Sequence, residues 1–425
     1  MTLSWGRGTR RVFRRIVPEH VTVPLLTLVV AIAGVQAQDW SQWRGPARSG
    51  LTEAFTAPAA WPDRLKKVWE ATVGAGHSSP VVSAGRAFAL SRLGEDEVVT
   101  AFDVQSGKQV WQQRYAAPYQ VNSAADSHGK GPKSTPAVGG GRVVTLGIGG
   151  TLSAFDAATG KPLWRKPFTG EFDATSPDFG VAMSPLIDAG LVIAHVGGNK
   201  SGALSAFDAA TGAARWQWKG DGPGYASPVI GAIAGTRQII TQSRSHLVGV
   251  AAGDGRLLWQ VPFTTAYDQN IVTPVLFEDL VIYSGIGQPL TAVRIALVNG
   301  QWSARQVWRS ESVPMYMSSA VLSGGYLYGL THRNKGQFFC AEPRTGKVLW
   351  TTRGREAENA ALIASGDLLI ATTTEGELVV ARRDPATFEL IRRYTVAESP
   401  IWAHPAPAGR GILIKDAQKL AYWVF

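Results

Sequence analysis

Short apolar runs bounded by glycine recur along most of the chain, as in Gly141-Arg142-Val143-Val144-Thr145-Leu146-Gly147. Each is followed by a second apolar run that ends in a polar turn, and then by a strand centred on Trp. The turn is a fixed phrase: Ala101-Phe102-Asp103-Val104-Gln105-Ser106-Gly107-Lys108-Gln109-Val110-Trp111 returns as 154–164 and again as 206–216. In it an Asp can cap the turn, and Gly supplies the positive φ that a tight hairpin with a bulge requires. Ahead of each unit stands a Ser/Thr-Pro-apolar start, at Ser79-Pro80, Thr135-Pro136, Ser184-Pro185, Ser227-Pro228 and Thr273-Pro274. Proline is tolerated at the first residue of a strand, where no ladder donor is lost. The pattern therefore predicts four short strands per unit.

The unit-ending tryptophans are Trp69, Trp111, Trp164, Trp216, Trp259, Trp308 and Trp350, with Tyr394 where the next is due, and their spacing runs from 42 to 53 residues. Four strands per repeat of this length make the blade of a β-propeller. Counting degenerate starts at Ser319-Ala320, Asn359-Ala360 and His404-Pro405 gives eight blades. The expectation is an all-β, eight-bladed propeller of four-stranded antiparallel blades. The last blade runs out after three strands, at 421–425. The orphan strand at 66–71 would supply its fourth and close the ring, which removes an unpaired edge. The repeat-end tryptophans read as packing between blades, since a large ring there buries ~150–250 Å².

Residues 1–37 read as an export signal: a basic start (Arg7, Arg10, Arg11, Arg14, Arg15), an apolar stretch at 21–35 too short for a comfortable span, and a Val35-Gln36-Ala37 cleavage site. Thr9-Arg10-Arg11-Val12-Phe13 resembles a twin-arginine signal, and an ordinary secretory signal is the alternative. No Cys stands at the cut to carry a lipid. The domain plan is then signal peptide 1–37, N-terminal arm 38–65 and propeller 66–425, in a periplasmic or secreted protein that does not span a membrane once the signal is removed. The formal charge of +10 falls to +6 when five Arg and one Glu leave with the signal. No dense basic stripe marks nucleic-acid binding. Cys340 is the one cysteine of the chain and aligns with Ala101 and Ala154 on a strand, so it reads as a packed thiol, and no cysteine-based metal site is available. A monomer is expected.

Strand order places the Asp-turns on one face. The loops before each first strand and between second and third strands lie on the other, where function is expected. The candidate ligand-binding residues on this variable face are His77, His128, Lys130, Lys133, Asp178, Tyr225, Arg244, His246, Asn270, His332, Arg333, Lys335, Glu358, Asn359, Trp402 and His404. Together they suggest a polar, mildly cationic funnel for an anion, a cofactor or a partner. No Ser-His-Asp spacing, His-Glu-x-x-His or paired-carboxylate motif supports hydrolysis.

The phrase Ala-Phe-Asp-Ala-Ala-Thr-Gly-Lys-x-x-Trp resembles the repeat of pyrroloquinoline-quinone (PQQ)-like propellers, a likeness running from about Asp39 to Phe425. Trp40-Ser41-Gln42-Trp43-Arg44-Gly45-Pro46 is similar to exported members of that group. The resemblance implies one of two roles. Quinoprotein alcohol dehydrogenases of the family hold PQQ beneath an adjacent Cys-Cys disulfide beside a calcium bound by Glu, Asn and Asp. This chain cannot form that disulfide, and Asp178, Asn270 and Glu358 are not selected as calcium ligands by their spacing. BamB-like members are non-catalytic scaffolds of outer-membrane assembly, and typically lipoproteins. The reading is an exported, soluble propeller acting as a non-catalytic binding or scaffold protein with a protein partner. The alternatives are a PQQ-dependent dehydrogenase without the disulfide, and a binder of an anionic small molecule or glycan.

Overall fold

A computed structural model describes residues 1–6, 8–9, 39–53 and 55–425. Most of the segment read as an export signal lies outside the described residues. Of the two compact units, Met1–Gln36 carries no helix or strand among its described residues, and Ala37–Phe425 is the body described below.

Eight four-stranded antiparallel sheets follow one another, each in simple sequential order. Blade 1 runs through Val81–Ser83, Arg86–Leu93, Asp96–Asp103 and Gln109–Ala116, and the later blades repeat the plan. The last sheet is the exception: Ala406–Ala408, Gly411–Lys415 and Lys419–Val424 take Lys66–Thr72 as their fourth strand, so the ring closes as the sequence pattern requires. Among the described residues no helix is long and apolar enough to cross a membrane.

The repeated phrase builds both the turn and the contact with the next blade. Asp103, Asp156 and Asp208 each accept from the backbone N–H and the hydroxyl of the Ser or Thr three residues on, at 2.7–3.1 Å. A bulge follows the small residue that faces Trp across the outer pair: Ala101 opposite Trp111, Ala154 opposite Trp164, Cys340 opposite Trp350. The indole then reaches the next blade. Trp111 Nε1 donates to Ala157 O at 3.1 Å, Trp164 to Ala209 O at 3.0 Å and Trp216 to Ala252 O at 3.1 Å. Each ring lies against the turn glycine of that blade; a Cβ on Gly160 would sit 2.6 Å from the Trp111 ring. Trp259 departs, donating to Gln238 Oε1 of its own blade, because blade 5 replaces the Asp-turn with a long hairpin, Gln288–Val298 and Gln301–Ser310. Tyr394 instead donates its hydroxyl to Pro62 O of the arm at 2.7 Å.

Two further systems join the blades at the axis. The residue before each Pro-led start gives its N–H to the hydroxyl at the next start: Ser79 to Thr135, Thr135 to Ser184, Ser184 to Ser227, Ser227 to Thr273 and Thr273 to Ser319, at 2.9–3.3 Å. His404 N–H ties the last blade to the first on Ser79 Oγ at 2.8 Å. In blades 6 and 7 Ser318 Oγ takes over, receiving Ala360 N–H and donating to Asn359 Oδ1.

The second system is the arm, which crosses the ring along the first strands. Trp40 O accepts from Val82 N–H, Ser41 O accepts from Val138 N–H, and the Gln42 amide pairs with both backbone groups of Ile187. Farther on, Gly50 O accepts from Ala364 N–H in blade 7. The Arg48 guanidinium donates to Ser184 O and Pro185 O, and Arg44 donates to Ala320 O on the opposite side.

Candidate functional site

The connections that enter each first strand return to the axis, and there they enclose a cavity of about 220 Å³. Its floor is Trp43 of the arm, and its wall comes from the connections between blades. Loops between second and third strands contribute no lining residue, because those strands lie farther from the axis.

Seven of the sixteen sequence candidates line the cavity: His77, His128, Lys133, Tyr225, Asn359, Trp402 and His404. His128 ends a short 3-10 turn, Ser123–His128, capped by the Asn122 side chain accepting from Ala124 N–H. Its ring stands edge-on to Trp402 at 4.9 Å and to His77 at 5.7 Å, and His77 is 6.0 Å from Trp402. His404 is 7% exposed and meets Trp43 edge-on at 5.0 Å. Lys133 Nζ donates to Phe179 O at 2.8 Å.

The other nine stand elsewhere. Lys130 pairs with Glu95 at 3.3 Å, Arg244 with Asp268 at 2.7 Å, and His246 Nδ1 with Asp221 at 3.2 Å. Arg333 donates to Glu311 O, His332 lies 6.3 Å from Tyr316, and Lys335 is exposed at a φ of 61°. Asp178 and Glu358 are exposed. Asn270 is fully buried and works on the backbone: its side-chain amide nitrogen donates to Ser243 O, Arg244 O and Phe263 O at 2.8–3.0 Å, and its backbone carbonyl accepts the Tyr225 and Ala226 N–H groups.

Burial sets the protonation states inside. It pulls His77 down to about 3, with Lys415 and His128 adding to the effect. His128 is lowered by burial and by Lys133, and His404 falls well below the usual histidine range through burial and Arg44. All three imidazoles are neutral at pH 7. Burial lowers Lys133 to about 8, which leaves it charged. Beneath the floor, burial brings Arg44 and Arg48 down to about 9, so both remain cations; their guanidinium carbons lie 5.4 and 5.8 Å from the Trp43 ring, within cation–π range.

The quinone-and-calcium arrangement does not fit this donor set. No Asp or Glu lines the cavity, whereas Ca²⁺ draws its six to eight oxygen ligands largely from carboxylates. Among the described residues no group of three or more His, Cys, Asp and Glu could hold a metal. Cys340 is buried in blade 6, away from the cavity lining.

Trp43, Phe179 and Tyr316 also line the cavity and were not among the sequence candidates. Aromatic residues read by default as packing. The available signal was phase: Trp43 falls outside the series of unit-ending tryptophans.

The family model described as outer membrane protein assembly factor BamB matches residues 63–127 and 95–352. The outer membrane protein assembly factor BamB of Yersinia pestis is 23% identical over 377 residues, covering 84% of this chain and 88% of its own length. Among solved structures, BamB from Moraxella catarrhalis has a TM-score of 0.60 at 16% identity, over 85% of this chain and 98% of its own. The quinohemoprotein alcohol dehydrogenase of Comamonas testosteroni has a TM-score of 0.66 at 15% identity, over 91% of this chain and 80% of its own. At such identities the structural likeness speaks to the fold alone.

Proposed function

The chain belongs to the family of the outer membrane protein assembly factor BamB, and from that premise we propose that it is a non-catalytic periplasmic scaffold in outer-membrane protein assembly. The observation that carries this reading is the reach of the likeness: the curated relative aligns over 84% of this chain and 88% of itself, far more than a single blade or a few repeats. A rigid ring with individual loops on one face suits a scaffold, since such loops can differ without disturbing the blades. On that face we assign partner contact to the candidates outside the cavity other than the fully buried Asn270, with Arg244, His332, Arg333 and Lys335 foremost. Tyr267 joins them; it is 78% exposed on a turn whose next residue, Asp268, is pinned by Arg244. Exposed Tyr and Arg are the residue types that dominate binding energy at protein interfaces.

The test is reconstitution. Assembly machinery depleted of its own BamB is placed in proteoliposomes, and folding of a model outer-membrane barrel is followed with and without the full chain. The expected result is faster folding, lost with Arg333→Glu/Lys335→Glu. Absence of any effect, or dye-linked alcohol oxidation on adding PQQ and calcium, refutes the proposal.

A further inference from the structure

The central cavity has a character that scaffolding does not call for. Its lining is rich in aromatic rings and carries charge of one sign only, while the carboxylates that act on it, Glu358 on His128 and Tyr316 and Asp178 on Tyr225, stand outside the lining. Lys133 contributes an ammonium group with one hydrogen bond, to Phe179 O, and among the described residues no carboxylate pairs with it. Arg44 and Arg48 lie under the floor, bonded to backbone carbonyls, and among the described residues neither pairs with a carboxylate. Lys415, 1% exposed, sits behind His77 with its Nζ on Gly76 O and Asp416 O, and unlike the other three it has a nearby carboxylate, that of Asp416, which favours its charge. Buried cations are costly without a counter-charge, and no residue lining the cavity carries a negative one.

Two observations indicate what is missing. His404 has a buried Nδ1 without a hydrogen-bond partner, and the residue lines the cavity. Trp43 and Trp402, with the neutral rings of His77 and His128 beside Trp402, offer flat faces and edges for a flat ring, which aromatic pairs favour in offset or edge-on contact. The volume of about 220 Å³ is smaller than the ~300–1,000 Å³ typical of pockets for drug-sized ligands. The occupant is therefore small.

We propose that the central cavity is a metal-free binding site for a small aromatic monocarboxylate, with the carboxylate on Lys133 and the ring against Trp402. The site is distinct from the proposed partner contacts, since none of Arg244, Tyr267, His332, Arg333 and Lys335 lines it. A bulky quinone held through a calcium ion is a different ligand, needing carboxylate ligands that this lining does not contain.

Calorimetric titration of the full chain at pH 7 with EDTA present tests the assignment, using 4-hydroxybenzoate, its neutral amide 4-hydroxybenzamide, and cyclohexanecarboxylate. The expected result is one-to-one binding of 4-hydroxybenzoate, at least tenfold weaker for each of the other two. Lys133→Met should weaken 4-hydroxybenzoate at least tenfold, Lys133→Arg should retain most of the affinity, and Lys130→Met should change nothing. The comparison of acid with amide on the unaltered chain decides the matter even if Lys133→Met does not fold. Equal affinity for acid and amide overturns the proposal. So does equal affinity for the aromatic and aliphatic acids, an unchanged affinity in a folded Lys133→Met, or no binding of 4-hydroxybenzoate at 5 mM.

Discussion

Gly160 and Gly141 both adopt positive φ, +75° and +74°, within one blade, yet they face different surroundings. At Gly141 an added Cβ meets nothing within 4 Å, whereas at Gly160 it meets Cδ2 and Cε3 of Trp111 at 2.6 Å. Gly141→Ala therefore isolates the backbone effect. The left-handed conformation costs an L-residue about 1–2 kcal/mol, and loss of glycine's freedom in the unfolded chain offsets about 0.4–1 kcal/mol of that. The net is a destabilisation of up to about 1.6 kcal/mol. Gly160→Ala carries the same backbone effect and adds overpacking against the indole, about 1–3 kcal/mol. Trp111 is 8% exposed and tied to Ala157 O, so it cannot move aside freely. Urea unfolding at pH 7 should place Gly160→Ala about 1–3 kcal/mol below Gly141→Ala at equal m-value. In a Trp111→Ala background, itself about 3–5 kcal/mol less stable, the gap should vanish. If the two glycine variants lie within about 0.5 kcal/mol of each other in the native background, the docking of each indole on the next turn contributes nothing and the account of blade adhesion is wrong.

Two other outcomes follow from the same structure. Deleting residues 66–71 leaves Lys419–Val424 as an open edge, so Tm should drop and the chain should self-associate through that edge; an unchanged Tm in a monomeric variant would rule out the closing role. The buried histidines make the fold acid-sensitive: burial lowers His77 to about 3 and His195 to about 4, so below the unfolded value of about 6.5 the unfolded chain binds protons that the folded chain refuses. The stability is present above about pH 6.5 and is lost as pH falls toward the folded values, by up to about 1.4 kcal/mol per pH unit per site. Urea midpoints at pH 7 and pH 5 should show this slope, and His195→Gln should flatten it; a midpoint independent of pH would contradict the burial of these rings.

The fold was legible because its signals are local. Asp103, Ser106 and Gly107 act on one another within five residues, and Trp111 sits a few residues beyond. What those residues touch was less legible. The glycine reads as a turn residue, but its second duty as a bed for the preceding indole depends on a ring some 50 residues earlier. The Ser/Thr-Pro starts read as strand punctuation, while the hydroxyls of Thr135 and Ser184 serve blades one repeat away. The candidate site divides for the same reason. Charged and histidine residues identify the loops of a face, but depth depends on which strand a loop feeds. Lys133 precedes a first strand and reaches the axis; Lys335 sits between second and third strands and stays outside. Trp43 left only its phase as a signal, since its place in the floor is decided by partners of the arm in blades 3, 6 and 7.

That arm also orders events in time. Arg44 meets Ala320 across 276 residues of chain, and the Phe55 carbonyl meets Ser365 across 310. Contacts of such separation close late, because the loop entropy must be met before they form. The blades can stack from local pairings, but the base of the cavity is fitted only after blade 7 is in place. Occupancy of the cavity is thus a signature of a completely folded ring: a chain arrested before its last quarter would lack the seams on which Trp308 and Trp350 dock, whose acceptors are Pro343 and Asp384, and would have no vessel to hold anything.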